Sequence, residues 1–583
     1  MSAFSRSMGL GVRHCASGRR GRRLAASVTL GIGGLGMGLG DAFAQEANLP
    51  APPPPAASAP ASPIAVAQVN LGAPPLANPD VLPTPLTPAA PAPPPPGGTP
   101  PAWTIVPSLN VSETYIDNVL MISAPRDSDI YTSINPSISI QGDTQRVQAT
   151  AVYDPNVMIF PGYSGLNQID ENGTAQATIT LVPDTLFLNL QGFASTQATP
   201  GGSIGPFGYN PAFTEQITSF SVEPYIQHQF GDYGTGKLMY SFNNTNFGMA
   251  GLNGVNSYIP SSSQFPAYFN PFNGNLMTSE EQAQFTTGDF LGRLQLQSTA
   301  DLQQYNGFGM GPDSYQNIYD NEFSYALTHS FALLFGGGWE DINYNMQPDI
   351  AIHDAIWDVG FKWKPNTDST IIATYGHKYG LTYPYLDGEY QLTKRTKINA
   401  NYTEYLDTAP QAIQNNLANS TLLPNGQTTS TATGAPIAIA NPFFALEEGL
   451  LETKLFNAGI STAYDRDTFS LTVSHETDYS IAVVPGILSY SDRMSYGTLS
   501  WTHTISDDLA ATNSATFGPM SFYIAGQPAE NFTTVSASSS LTYTISPTLN
   551  ALVTYTYMEF LGNLPGVSAT ANMVTVGLTK TFQ

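Results

Sequence analysis

The sequence predicts an all-β protein: a transmembrane antiparallel up-and-down β-barrel of roughly 22 strands, within a range of about 18–24, preceded by a disordered Pro/Ala-rich segment. Three observations carry this. Only 11% of the 583 residues are charged, where an ordinary globular chain has about 25%. No run of about 18 consecutive apolar residues follows the first forty positions, which excludes a bundle of membrane helices. The 30 Tyr and 30 Phe are instead spread through segments in which apolar and polar residues alternate, the pattern of a strand with two unlike sides.

The amino terminus reads as an export signal. Arg13, Arg19, Arg20, Arg22 and Arg23 precede an apolar, Gly-rich stretch from Leu24 to Gly40. Ala42-Phe43-Ala44 then has the small-x-small form of a cleavage site, which predicts a signal peptide over 1–44 cleaved after Ala44. General secretion is expected rather than twin-arginine export, because Leu-Ala-Ala follows Arg23 and a barrel crosses the inner membrane unfolded. The single cysteine, Cys15, lies in this leader. The mature chain therefore has no thiol for a disulfide or a metal site.

Residues 45–102 are dominated by Pro and Ala ("APPPPAASAPASP", "PAPPPPGGTPP"). Such a stretch forms neither helix nor ladder, so it is predicted to be a disordered periplasmic linker, not a globular plug.

The barrel is assigned to 103–583, where alternation runs throughout. In "FSLTVSHETDYSI", Phe469, Leu471, Val473 and Tyr479 oppose Ser470, Thr472, Ser474, Glu476 and Asp478. In "AIWDVGFKWK", Trp357, Val359, Phe361 and Trp363 oppose Asp358, Gly360, Lys362 and Lys364. Ten short turn signals punctuate the runs, from Gly142-Asp143 and Pro183-Asp184 to Ser506–Asp508 and Ser546-Pro547. The connections at the far ends are longer, at Ala198–Thr214, Ala250–Ser279 and Asp407–Leu450. Short turns at one end and long loops at the other are the asymmetry of an outer-membrane barrel. With both termini at the short-turn end, ten turns give roughly 22 strands. The strands around Glu280–Gly288 and Phe290–Tyr305 are the least sharply marked.

Tyr225, Tyr325, Trp363, Tyr390, Tyr464, Trp501 and Tyr543 each stand a few residues before a short turn. They are expected to form an aromatic belt at the headgroup level. The closing "VTVGLTKTF" should turn Val574, Val576 and Leu578 to lipid and its threonines to the lumen, since a closed barrel needs no inner apolar core. Phe582 is the expected assembly signal, although Gln583 follows it and Lys580 stands where a ring is commoner.

The six Arg and one Asp of residues 1–44, taken from 20 basic and 44 acidic residues, leave 14 and 43 in the mature chain, net −29. Nucleic acid is thereby excluded as an expected partner. Alternation places Asp320, Glu322, Glu340, Asp358, Asp387, Glu389, Glu476 and Asp478 on the lumen, against Lys362, Lys364, Lys397 and Arg293. Rings of carboxylate favour cations and neutral polar solutes. The loop "NSYIPSSSQFPAYFNPFNGN", with Tyr258, Phe265, Tyr268, Phe269 and Phe272, and the segment Asp407–Leu450 are candidates to fold inward and narrow a lumen that is otherwise wide.

No catalytic, cofactor or metal site is expected. His228, His329, His353, His377, His475 and His503 lie on different hairpins without metal-ligand spacing. Asp117, Asp127 and Asp129 are too few for Ca²⁺, which takes six or more oxygens. His475, predicted to point outward, is the one residue on which a lipid hydrolase could be built, and no partner is identifiable by spacing.

"WTIVPSLNVSETYIDNVLM" through "SDIYTSINPSISIQGDTQRVQATAVYD", at Trp103–Asp154, and "YQLTKRTKINANYTEYLDT", at Tyr390–Thr408, resemble parts of the β-barrel porin 2 family. That family includes outer-membrane proteins encoded with exopolysaccharide biosynthesis genes. The resemblance implies a barrel over Trp103–Gln583, with a link to polysaccharide export and its components, and it assigns no catalytic or ligand residue.

These readings together lead to an expected outer-membrane channel of a Gram-negative bacterium. It would pass small polar or cationic solutes by diffusion, alone or in exopolysaccharide export, with outer-membrane lipid, lipopolysaccharide and the barrel assembly machinery as partners. The alternative is a structural or adhesion barrel with a shut lumen and partner-binding loops.

Overall fold

Twenty-two antiparallel strands close into a ring in this computed structural model. It describes residues 102–198, 214–249, 274–308, 310–440, 449–483, 490–524, 529–563 and 568–582. The strands are β1 (Trp103–Ile116), β2 (Asp129–Asp143), β3 (Val147–Tyr153 with Asn156–Ile159), β4 (Gln168–Asp170 with Gly173–Val182), β5 (Leu186–Ala198), β6 (Thr214–Gln229) and β7 (Gly234–Met249). They continue as β8 (Gly274–Thr287), β9 (Leu294–Gly307), β10 (Met310–Thr328), β11 (Phe331–Tyr344), β12 (Ile350–Trp363), β13 (Thr370–Lys378), β14 (Leu381–Thr393) and β15 (Thr396–Asp407). The last seven are β16 (Leu450–Ala463), β17 (Asp467–Ala482), β18 (Tyr490–Ser506), β19 (Leu509–Ile524), β20 (Glu530–Ser546), β21 (Leu549–Gly562) and β22 (Ala569–Thr581).

Strand β3 is interrupted at Asp154-Pro155, where proline has no N–H to give the ladder. Its two pieces nevertheless continue one stave along β2. The ring is closed by β1 against β22, with Val111 opposite Leu578 and Tyr115 opposite Val574. Every edge is thus paired, which a lipid environment requires of a sheet.

All ten short turns read from the sequence are hairpins at one end of the barrel, the end that also holds the start of β1 and the end of β22. At the other end the connections are less uniform than expected. Tyr379-Gly380 is a two-residue turn, with φ 57° and 70°, the doubly positive geometry that matches strand twist. The weakly marked strands are present as β8 and β9, with β8 beginning at Gly274.

The last strand shows the two faces directly. Val576 is 55% exposed on the outside while its neighbour Thr575 is 5% exposed on the inside. Inward hydroxyls pair across strands: Thr114 with Thr575 at 2.8 Å, Ser219 with Thr245 and Thr498 with Thr516 at 2.9 Å. Val576→Lys is expected to destabilise the barrel by about 2–4 kcal/mol. Thr575→Val, which removes one interior hydrogen bond, should cost about 1 kcal/mol. Denaturant unfolding in lipid vesicles measures both, and the reverse order would mean the faces are swapped.

The expectation of no inner apolar core is corrected. One cluster of inward side chains joins Met494, Met520, Phe532, Met558, Phe560 and Met573 on β18–β22 to Ile116 on β1, Tyr131 on β2 and Phe160 just after β3. A second lines β6–β11 with Ile217, Phe247, Leu276, Tyr305, Ile342 and Tyr344. Val119, Met121 and Leu166, from the connections after β1 and β3, join the first cluster. A longer segment of the chain packs on the second.

Candidate functional site

Between β15 and β16 the chain turns back into the barrel. Thr408 starts a helix, α1 (Ala409–Ala418), through a capping box with Gln411, whose Oε1 accepts from the Thr408 N–H at 2.9 Å. Pro410 suits the first helical turn. Ile413 and Leu417, one turn apart, are buried in the apolar surface of β6–β11, each worth about 1.5–3 kcal/mol of burial.

The buried polar groups of α1 are matched to the wall. Thr278 Oγ1 on β8 donates to Gln414 Oε1 at 2.7 Å, and Gln414 Nε2 donates to Thr245 Oγ1 on β7 at 3.1 Å. A small hairpin follows, pairing Ser420–Leu422 with Thr428–Ser430. On β4, Gln176 Nε2 donates to Ser420 O, and the Leu422 N–H donates to Gln176 Oε1, both at 2.7 Å. On β14, Asp387 Oδ2 accepts from Ser430 Oγ at 3.0 Å and Thr433 Oγ1 at 2.9 Å.

Strands β4 and β14 are ten staves apart in a ring of 22, so these anchors lie on nearly opposite walls. Residues 408–440 therefore cross the lumen. Between this segment and the wall lies a cavity of about 850 Å³.

The predicted lumen residues divide in three. Asp320, Glu322, Asp358, Asp387, Glu476 and Asp478 line the cavity. Glu340 is buried, but its carboxylate accepts the N–H groups of Tyr379 (2.7 Å) and Gly380 (2.8 Å), so it caps the β13–β14 turn. Glu389 pairs with Lys397 at 2.7 Å, and Lys362 is buried outside the cavity lining. Sequence reasoning missed Glu223, Glu280, Asp301, Asp407, Lys237 and Lys378, all on the cavity. Asp301 shares the inward side of β9 with Gln297, Thr299 and Gln303, opposite Leu294, Leu296, Ala300 and Leu302, so the period-two signal that places it on the lumen is present in the sequence.

Of the expected belt, Tyr325, Trp363, Tyr464, Trp501 and Tyr543 are exposed on the outer face near the short turns. Tyr390 stacks on Trp363 at 6.1 Å between ring centres. Tyr225 is a correction. It shares the inward side of β6 with Ser221 and Glu223, stacks on Phe187 at 4.9 Å and lies under Lys237 Nζ at 4.7 Å. Phe582 is exposed on the outside, its N–H bonded to Pro107 O at 2.8 Å. The loop residues Tyr258, Phe265, Tyr268, Phe269 and Phe272 lie outside the described residues.

The three loop acids do not converge. Asp117 accepts from the backbone and side-chain nitrogens of Asn572, Asp127 from Tyr163 OH at 2.9 Å, and Asp129 from the Gly162 N–H at 3.2 Å. Among the described residues no group of three or more His, Cys, Asp or Glu could hold a metal ion. His475 does point outward, with Nδ1 at 2.8 Å from Ser495 Oγ on β18. Its other nitrogen meets the Thr477 hydroxyl at 3.5 Å, not the carboxylate that orients the base of a hydrolytic triad.

No protein-family model and no curated protein matches the sequence. Solved structures do match. The FrpB iron transporter of Neisseria meningitidis, in its apoprotein form, is 10% identical with a TM-score of 0.45, over 83% of this chain and 82% of that one. The siderophore receptor PirA of Pseudomonas aeruginosa is 13% identical with a TM-score of 0.35, over 83% and 81%. The alcaligin outer-membrane receptor FauA of Bordetella pertussis is 13% identical with a TM-score of 0.30, over 83% and 77%. These are described as a transporter and as receptors. The expectation of a passive channel is corrected, because the lumen through which solutes would diffuse is crossed by the chain's own segment.

Proposed function

We propose that the protein is a gated transport receptor of the outer membrane. A specific ligand occupies the lumen cavity, and passage follows rearrangement of residues 408–440 rather than free diffusion. The observation that supports this most is the anchoring of that segment on nearly opposite walls, through Gln176 and Asp387. The cavity it leaves, about 850 Å³, falls within the roughly 300–1,000 Å³ of small-molecule sites.

In this reading residues 1–44 are removed after Ala44, residues 45–102 are a periplasmic spacer, and the partners are lipid, lipopolysaccharide and the assembly machinery. Polar anchors suit a gate: each hydrogen bond contributes about 0.5–1.5 kcal/mol net and exchanges readily for water. The refolded protein in planar bilayers should hold current near the baseline, and vesicles containing it should not swell in isotonic sugar. Large steady conductance steps would overturn the proposal.

A further inference from the structure

We infer that the wall of the cavity carries a binding site for an ammonium or guanidinium group, built from Glu322 and Asp358 over a floor of glycine. The inference rests on the cavity being a ligand chamber, as proposed above. In the strand register Glu322 on β10 lies opposite Gly336 on β11, Gly336 opposite Asp358 on β12, and Asp358 opposite Gly376 on β13. One row across four strands thus alternates carboxylate, glycine, carboxylate, glycine.

The glycines let the acids converge. A methyl placed on Gly336 would fall on Asp358 Oδ2, and one placed on Gly376 would press on Asp358 Cβ. Asp358 therefore lies flat over Gly336, toward Glu322, in space that any other residue there would fill. Adjacent strands are about 4.8 Å apart, so the Cα atoms of two acids separated by one strand stand about 10 Å apart, and the carboxylates approach only because a side chain can lie over the glycine between them.

The row is also unfinished as a hydrogen-bonded structure. Glu322 is 6% exposed, yet its Oε1 has no hydrogen-bond partner, and neither has Asp358 Oδ1. Nearby Asp301 Oδ1 and Thr299 Oγ1 are in the same condition. All four residues line the cavity, and all four atoms can accept. The cations at hand answer this need only through their charge: Lys378 is held by Asp320 at 3.2 Å and acts on Glu322 and Asp358, and Lys362 acts on Glu322, yet neither lysine hydrogen-bonds Glu322 Oε1 or Asp358 Oδ1.

Over the whole lining, eleven carboxylates face two lysines. A buried carboxylate without a cation or donors is costly, so the complementary ligand is a cation rich in N–H groups. A guanidinium offers a planar fork that two converging carboxylates can share. A bare metal ion fits poorly, because two acids fall short of the six or more oxygens that Ca²⁺ takes.

The test uses the full mature chain, refolded, with agmatine as probe and 1,4-butanediol as its uncharged control. Titration calorimetry should show saturable binding of agmatine and none of the diol. Glu322→Gln with Asp358→Asn should weaken binding roughly ten-fold or more, and Gly336→Ala should weaken it by displacing the Asp358 carboxylate. Asp465→Asn, at a turn outside the cavity, should leave it unchanged.

Each variant is checked for folding by the mobility difference between boiled and unboiled samples. Absent binding to folded wild type, or equal binding by the folded double variant, overturns the site. A barrel that ignores agmatine but stays electrically quiet leaves the gating proposal standing. A steadily conducting one overturns gating whatever agmatine does.

Discussion

Replacing residues 409–448 by a short Gly/Ser linker is expected to raise single-channel conductance roughly ten-fold or more. The ring is wide enough at 22 strands to leave an aqueous channel unless something fills it, and α1 with its hairpin spans from β4 to β14. The replacement is structurally mild. Asp407 and Leu451 are register partners on adjacent strands, so a hairpin of two to five residues can join them without disturbing the ring. Planar-bilayer recording of the variant beside wild type reads the result. A variant that folds, as its gel mobility shows, but conducts no better would mean that the lumen is blocked elsewhere and that residues 408–440 are not the gate.

The second large effect concerns what holds the segment in place. Ile413 and Leu417 are 2% and 1% exposed, and their docking is worth about 1.5–3 kcal/mol each. Changing both to Asp reverses the sign, because two uncompensated charges against Leu276, Phe247 and Ile342 cost more than the helix gains from its hydrogen bonds. The helix should leave the wall while the barrel, whose ladders do not involve it, stays closed. Residues 16–583 contain no cysteine, so a single Thr278→Cys in a protein without Cys15 reports on this. Thr278 is covered by Gln414 in the docked state. Its labelling by a maleimide should speed up roughly ten-fold or more in the Asp variant, as expected when a locally stable unit opens. Unchanged labelling would show that α1 is held by something other than its apolar face.

Strand number, turn positions and the outward face of most strands were legible because each depends on a local signal: period-two alternation, or Gly and Asp at a tight turn. Segment Asp407–Leu450 was marked as able to fold inward by its length and by the wide lumen that 22 strands would otherwise leave. Its partners were not legible, because they are single glutamines and threonines such as Gln176 and Thr278, indistinguishable in sequence from other lumen residues. The inner clusters were hidden for a related reason. At Met573-Val574 both faces of β22 are apolar, so alternation gives no sign that Met573 joins Met558 in the inner cluster. Tyr225 was misplaced because Pro224 and Ile226, the outward residues beside it, are equally apolar, and nearness to a turn says nothing about which side a ring takes.

The seam between β1 and β22 bears on how the ring is made. Its partners are separated by more than four hundred positions, Thr114 and Thr575 by 461, so its formation carries the largest loop-closure entropy of any pairing in the molecule. Hairpins can zip as they are supplied, but the cylinder cannot shut until the carboxyl-terminal stave has arrived. A polypeptide stopped before Ala569 would keep two raw borders, β1 and β21, each able to recruit a stranger's strand. Truncated products should therefore accumulate as aggregates rather than as smaller pores.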